Sequence, residues 1–407
     1  MTATSMTACL TLPDGSPAAA GWTLQPDLRH LNHGSFGAVP AHVQAHQNAL
    51  RAQMDAAPVL WFSELSPKIG AARAEIASFL GVAADDTAFV PNASGGASVV
   101  YANLPARPGM EIVVTDHGYG AVTMGAERLA RRSGGRVRVA RIPLDATLQQ
   151  AHDAVVAQFT DHTGLVVIDH LTSPTARLLP VDTVSAEARR RGIPVLVDGA
   201  HVPGLYDRPL DGLDCDFWVG NLHKFACAPR GAAVLVARNA LRDQLYPLID
   251  SWGAPLDFPQ RFDSQGTLDA TSYLAAPRSI AFIEHTWGWE AARRYMSGLA
   301  DYAEEVIASA FSAITGEDHR VDVGSPVNAM RLVRLPAELA TTHQDADGLR
   351  DRVLRELGVE TAFTSFDGTG YYRLSTHVYN TAEDFEHFAE HCVPVLCRWA
   401  REAAGPS

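Results

Sequence analysis

The fold of this 407-residue chain is decided by two neighbouring stretches, VLVDGAHVPG at 195–204 and DFWVGNLHKFACAPRG at 216–231. Val195, Leu196 and Val197 form a short apolar run of the kind buried as a strand, so Asp198 emerges at its carboxyl end. Phe217, Trp218 and Val219 repeat the pattern, and His223 and Lys224 follow where a second strand stops. Open α/β sheets bind ligands just outside the carboxyl ends of their strands. An aspartate and a lysine held there suit one chemistry. The lysine amine can form a Schiff base with an aldehyde cofactor, and the aspartate can keep a pyridine nitrogen protonated.

The flanking sequence repeats the same architecture. EIVVT (111–115), VRVARIP (137–143), LVVID (165–169) and AAVLVA (232–237) read as strands, with helical stretches between the first three of these runs and after the third. One of these, DTVSAEARRRG at 182–192, is amphipathic and closes on basic residues and Gly192, a helix-stop pattern. The alternation from 86 to 237 predicts an α/β fold, a three-layer, doubly wound and mainly parallel sheet. Upstream, Thr87 to Val90 read as strand, 92–96 as a glycine-containing turn and Ala97 onward as helix. Such a turn presents backbone N–H groups and the positive dipole end, which together bind phosphate; Ser94, Gly95 and Gly96 are the candidates.

Pro40 is placed to start a helix at 41, and 65–82 has helical spacing through Ile69, Ala72, Ile76, Phe79 and Leu80. A long helical region at about 275–312 leads to short strands (NAMRLVRLP, YYRLS) alternating with helices at 344–357 and 381–400. This predicts a flexible leader at 1–22, a large domain at 23–275 and a smaller α+β domain at 276–407.

Hydrophobic content of 47% with 19% charged residues gives ample material for a core. A net charge of -13 argues against nucleic acid or an anionic membrane as partner. Cys9, Cys215, Cys227, Cys392 and Cys397 lack framework spacing, which points to reduced thiols and a cytoplasmic protein. No signal peptide and no apolar run long enough to span a membrane are evident.

DGAHVPG and NLHKFACAPRG, together with LNHGSFG (31–37), TDHGYGA (115–121) and RLSTHVYNTAEDF (373–385), resemble the fold-type I pyridoxal-phosphate enzymes of the class V aminotransferase group. The likeness runs from about 31 to 388 and is strongest to the isopenicillin N epimerase-like branch, with cysteine desulfurases as more distant relatives. It implies pyridoxal 5′-phosphate as cofactor and an amino acid as substrate, acted on at its α carbon through an external aldimine. Lys224 would load the cofactor and then move the α proton, with Asp198 at the pyridine nitrogen and His201 near the ring hydroxyl. Ser94, Gly95, Gly96 and His223 would hold the phosphate, and Ser173 takes the place of an asparagine near the cofactor. His117 or its neighbour Tyr119 would stack on the ring. Arg373 would grip the substrate carboxylate, with Asn32, His33 and Ser35 as further substrate contacts or as a structural turn. Gly266 and Thr267 match an element that reaches the partner's phosphate, so a homodimer is expected. Trp252 is a candidate to line the pocket.

The reaction stays open at this level. Epimerisation, typical of antibiotic and other specialised metabolism, leads, followed by β-elimination of sulfur from a cysteine S-conjugate, with decarboxylation and aminotransfer sharing the same residues. Two rival classes compete with this reading. A metal hydrolase could use His387, Glu390 and His391, in an H-x-x-E-H arrangement, or His42 and His46 one helical turn apart; a non-catalytic homologue would not need both Asp198 and Lys224. No metal is expected.

Overall fold

The computed structural model describes residues 8–405. In chain order its strands are β1 (Arg29–His30), β2 (Thr87–Val90), β3 (Glu111–Thr115), β4 (Arg136–Ala140), β5 (Thr163–Asp169), β6 (Val195–Asp198), β7 (Phe217–Asn221), β8 (Ala233–Ala237), β9 (Met330–Arg334), β10 (Val359–Glu360), β11 (Phe363–Phe366) and β12 (Thr369–Ser375). The chain divides into two compact units. One holds Val39–Thr172 and Leu178–Phe282; the other holds the N-terminal stretch to Ala38, Ser173–Arg177 and the chain from Ile283 onward.

The first unit is built on a seven-stranded sheet of order β2-β8-β7-β6-β5-β3-β4. Only β8 runs against its neighbours; the remaining pairs are parallel. The apolar runs read from the sequence are buried along their whole length in β2, β3, β5, β6, β7 and β8, as expected of strands covered on both faces. Alternation sends Leu165, Val167, Leu196, Phe217 and Val219 to one face, where they pack with residues of helices Ala93–Asn103 and Gly120–Arg132. Helices Leu148–Val156 and Val181–Arg190 pack on β3, β5 and β6. The expected mainly parallel sheet between helical layers is therefore present.

Trp218 fixes the middle of the sheet. It is fully buried, and a Cβ at Gly199 or at Gly220 would lie 2.2 Å from its ring. Glycine at those two positions is a packing requirement, because the indole occupies the volume a side chain would need.

The second unit carries a three-stranded antiparallel sheet of order β11-β12-β9. Its core joins Phe311 and Ala303 of helix Trp289–Thr315, Leu349 and Val353 of helix His343–Leu357, and Phe385, Phe388 and Leu396 near the C-terminus. Thr342 opens helix His343–Leu357 with a capping box closed by Asp345.

Several expectations are corrected. Of the leader at 1–22, residues 1–7 lie outside the described residues. Residues 8–22 are not loose: Ala18 and Trp22 are buried, Leu10 packs on the core of the second unit, and Trp22 stacks on Trp287. Apolar side chains in a small-residue stretch outweigh its lack of periodicity. The N-terminal stretch thus belongs to the unit that also holds the chain from Ile283 onward, through parallel pairing of β1 with β10. The long helical region is two helices, Thr271–Thr286 and Trp289–Thr315, broken at Gly288, whose φ of 77° lies in the left-handed region. The C-terminal helix is interrupted by a π-helical turn, Phe388–Cys392.

Gly199→Ala should lower stability by about 1–3 kcal/mol through overpacking against Trp218. At Gly298, in helix Trp289–Thr315, an added Cβ would meet nothing within 4 Å, and Gly298→Ala should raise stability by about 0.5–1 kcal/mol. Urea denaturation of both variants beside the parent protein checks the opposite signs.

Candidate active site

The carboxyl ends of β5, β6 and β7 bring polar residues to one face of the sheet. Asp169 and Asp198 are register partners on adjacent parallel strands, and the strand period puts both, with Asn221 of β7, on the face that carries helix Ala93–Asn103. Asn221 Oδ1 accepts from Ala93 N at 2.8 Å, which ties the helix start to the sheet. Asn92 caps the same helix, its Oδ1 accepting from Gly95 N at 2.8 Å. The helix therefore begins at Ala93 and not at Ala97, and Ser94, Gly95 and Gly96 form its first turn. A Cβ at Gly96 would sit 2.7 Å from Val219 Cγ1, so this glycine lets the helix lie directly on β7. At Gly95 the nearest atom would be 3.5 Å away, ordinary contact.

Lys224 follows β7 and is buried. Its Nζ lies 3.0 Å from His201 Nε2. Asp198 Oδ1 accepts from Ala200 N at 2.9 Å. Burial pushes the Asp198 carboxyl above its usual range, against the pull of the Ala200 N–H and of the Lys224 charge. The Asp169 carboxyl is raised well above its range, by burial first and then by the charge of Asp198. His223 is held down at about 4 by burial and by the neighbouring Lys224 charge, and its buried Nδ1 has no partner among the described residues. An orphaned buried nitrogen costs free energy unless a ligand completes it.

His117 and Tyr119 are now distinguished by position. His117 is fully buried and Tyr119 is exposed. His117 Nε2 lies 2.8 Å from the Ile142 carbonyl; a carbonyl only accepts, so Nε2 carries the proton. Gly266 and Thr267 are exposed.

The substrate candidates lie in the second unit. Arg373, buried on β12, donates from Nη1 to the Ser173 carbonyl at 2.7 Å and to Ser173 Oγ at 3.2 Å. Its Nη2 donates to Ser35 Oγ at 2.9 Å and to Asn32 Oδ1 at 3.4 Å. Ser35 Oγ in turn donates to Asn32 Oδ1 at 2.6 Å. Four candidates thus form one network, and Ser173, expected beside the cofactor, is a partner of Arg373. His33 is elsewhere: it is buried, stacked 3.8 Å from His377, with Nδ1 3.0 Å from the Tyr379 hydroxyl. Its ring packs in an aromatic cluster. Trp252, a candidate for the pocket wall, is 94% exposed. His387 and His391 have ring centroids 4.4 Å apart on the π-helical turn, and with Glu390 they do not assemble three ligand atoms.

The sequence reading missed Asp169, Asn221 and Asn92. Asp169 had a signal: it ends LVVID as Asp198 ends VLVD. Asn221 and Asn92 act by bonding to backbone N–H groups, and nothing in their spacing announces that.

The donor set of the first unit fits pyridoxal 5′-phosphate. A buried amine meets an aldehyde, a carboxylate meets a ring N–H, and a helix start with an orphaned imidazole nitrogen meets a phosphate. The aminotransferase class-V family model matches residues 42–388, and the chain belongs to that family; pyridoxal 5′-phosphate is its cofactor. Within the family it is 30% identical to isopenicillin N epimerase of Amycolatopsis lactamdurans, over 90% of this chain and 95% of that one. It is 26% identical to a probable chloroplastic L-cysteine desulfhydrase of Arabidopsis thaliana, over 90% and 82%. Among solved structures, C-DES with glycine covalently linked to its PLP cofactor superposes with a TM-score of 0.78 at 18% identity, covering 93% of this chain and 99% of that one.

His223 and His170 are both held at about 4, below the ordinary 6.5, mainly by burial. The unfolded chain therefore takes up these protons first as the pH falls. Their stabilisation is complete above about 6.5 and is lost toward about 4. His223→Gln and His170→Phe should each flatten the fall in urea midpoint across that window, measured on the cofactor-free chain.

Proposed function

We propose that this chain is a pyridoxal-phosphate-dependent epimerase acting at the α carbon of an amino acid, or of an amino-acid-derived intermediate, in specialised metabolism such as antibiotic biosynthesis. One observation carries the reading: the buried Lys224 amine lies 3.0 Å from His201 Nε2, so it has a neighbour with which to exchange a proton. Bound pyridoxal 5′-phosphate supplies the electron sink that weakens the bonds at the α carbon. Lys224 takes the α proton at Nζ, and His201 holds or returns it at Nε2. Asp198 keeps a negative charge at the ring nitrogen; Ser94, Gly95, Gly96 and His223 take the phosphate. His117 covers the ring, the buried residue being preferred to the exposed Tyr119. Arg373, with Ser35 and Asn32, clamps the α-carboxylate and so fixes which α bond is weakened. Likeness to isopenicillin N epimerases over nearly the whole of both chains supports returning the proton to carbon.

A second reading is β-elimination from a cysteine S-conjugate, favoured by the likeness to L-cysteine desulfhydrases and by the fold shared with a cystine C–S lyase. Aminotransfer and decarboxylating deamination would use the same residues. Cysteine desulfuration fits less well. Cys227, three residues past Lys224, is fully buried, and burial pushes its thiol up, away from the thiolate a persulfide carrier needs.

The proposed assembly is a cytoplasmic homodimer in which Gly266 and Thr267 reach the partner's phosphate. Their exposure, together with that of Leu268, Ile249 and Trp252 in the same segment, supports a surface that a second copy covers. Sedimentation velocity should give a dimer, and Thr267→Ala should weaken cofactor retention.

The deciding experiment incubates the enzyme with candidate amino acids in deuterated water. Deuterium at the α carbon of recovered substrate, with both configurations present, is the expected result. Pyruvate and released thiol without exchange would replace epimerisation by elimination. Lys224→Ala should lose about 10²–10⁴-fold in rate by either route.

A further inference from the structure

Asp169 is a buried carboxyl that none of the roles above employs. It ends β5 where Asp198 ends β6, and the two are register partners, about 4.8 Å apart across parallel strands. Both side chains lie on the face that carries helix Ala93–Asn103. The Tyr119 N–H donates to the Asp169 carboxyl, so this side chain holds the turn that bears His117. The turn wraps closely: a Cβ at Gly118 would come 2.9 Å from Thr123 Oγ1 and 3.8 Å from Asp169 Oδ2.

We propose that Asp169 is a positioning residue of the cofactor site, a carboxyl that backs Asp198 from the next strand and ties down the turn carrying His117. The charged and titratable groups around it are Asp198 on β6, Lys224 after β7 and Tyr101 on helix Ala93–Asn103. Two buried carboxylates one strand apart with a single lysine nearby do not both ionise, because the second charge has neither water nor a cation of its own. Asp198 has the Ala200 N–H on its Oδ1 and is the member assigned above to the ring nitrogen, so the negative charge rests there. Asp169 keeps the proton, and burial and the Asp198 charge both favour that form. In this state it leaves the site with one net charge for the pyridinium while its carbonyl oxygen receives the Tyr119 N–H. A second full charge would over-stabilise the protonated ring, and an apolar residue would free the His117 turn.

The inference rests on the cofactor and not on the reaction proposed for it, so its test needs no substrate. Asp169→Asn retains an acceptor for Tyr119 N–H and mimics the neutral acid; Asp169→Ala removes both. The readouts are the dissociation constant of pyridoxal 5′-phosphate for the reconstituted chain and the pH titration of the bound cofactor's visible band. Asp169→Asn should match the parent within about twofold and leave the titration midpoint in place, whereas Asp169→Ala should bind about tenfold more weakly and shift the midpoint, the loss of one anchoring hydrogen bond. Should Asp169→Ala fail to fold, Asp169→Ser, a shorter side chain than the parent acid, is read in its place. A band unmoved by Asp169→Ala or Asp169→Ser overturns the proposal. So does an Asp169→Asn variant as weak as the alanine variant, because the acid would then be working as a charge. A parent chain with no cofactor band would sink the cofactor assignment as well, and the two failures are thereby told apart.

Discussion

The candidate active site depends on the register between β5, β6 and β7. Parallel pairing sets Asp169 against Asp198, and Asp198 against Val219, so the two carboxyls leave adjacent strands at one level, and Asn221 follows two residues past Val219 on the same face. Because side chains alternate with a period of two, a slip of one residue in β6 would turn Asp198 to the opposite face. Trp218 guards against that slip. Its indole fills the space above Gly199 and Gly220, and any other register would set a side chain into that volume. Burial of the flanking valines and leucines makes the register expensive to change.

With the register fixed, the chemistry follows from which groups are denied water. Asp169, Asp198, His201 and Lys224 are all buried, and a low-dielectric setting strengthens each charge pairing while penalising each unmatched charge. An ammonium, a ring carboxylate and an unpartnered imidazole nitrogen are costly to bury alone. They become mutually consistent once a molecule with an aldehyde, a cationic ring nitrogen and a phosphate occupies the space. If these residues hold the cofactor as proposed, its binding is part of the folding energetics of this unit.

Much of this was legible in the chain. Apolar runs ending in Asp198 and Lys224 identified the sheet, its polarity and the two residues at its carboxyl edge, because buried parallel strands leave a continuous hydrophobic signature. The antiparallel β8 was not distinguishable, since a buried strand reads alike in either direction. The sequence sets Ser94, Gly95 and Gly96 in a turn; the cap from Asn92 moves the helix start back to Ala93, and Gly96 admits Val219, a tertiary contact that no local pattern encodes. His33 and Ser35, two residues apart in one motif, part company in space, one in an aromatic stack and the other on Arg373. Local sequence names the residue types, while long-range packing decides which way each ring or hydroxyl is aimed.

The parallel pairing of Arg29 with Val359 and of His30 with Glu360 has a consequence for synthesis. A ribosome finishes the first strand of that pair more than 300 residues before its mate exists, so Leu31, fully buried in the finished protein, must wait through most of translation without its proper neighbours. The seven-stranded sheet can assemble in the meantime, since all its strands lie between 87 and 237. The unit that holds Leu31 together with the chain from Ile283 onward can close only after the last helices emerge, so the early segment keeps its apolar side chains uncovered until then.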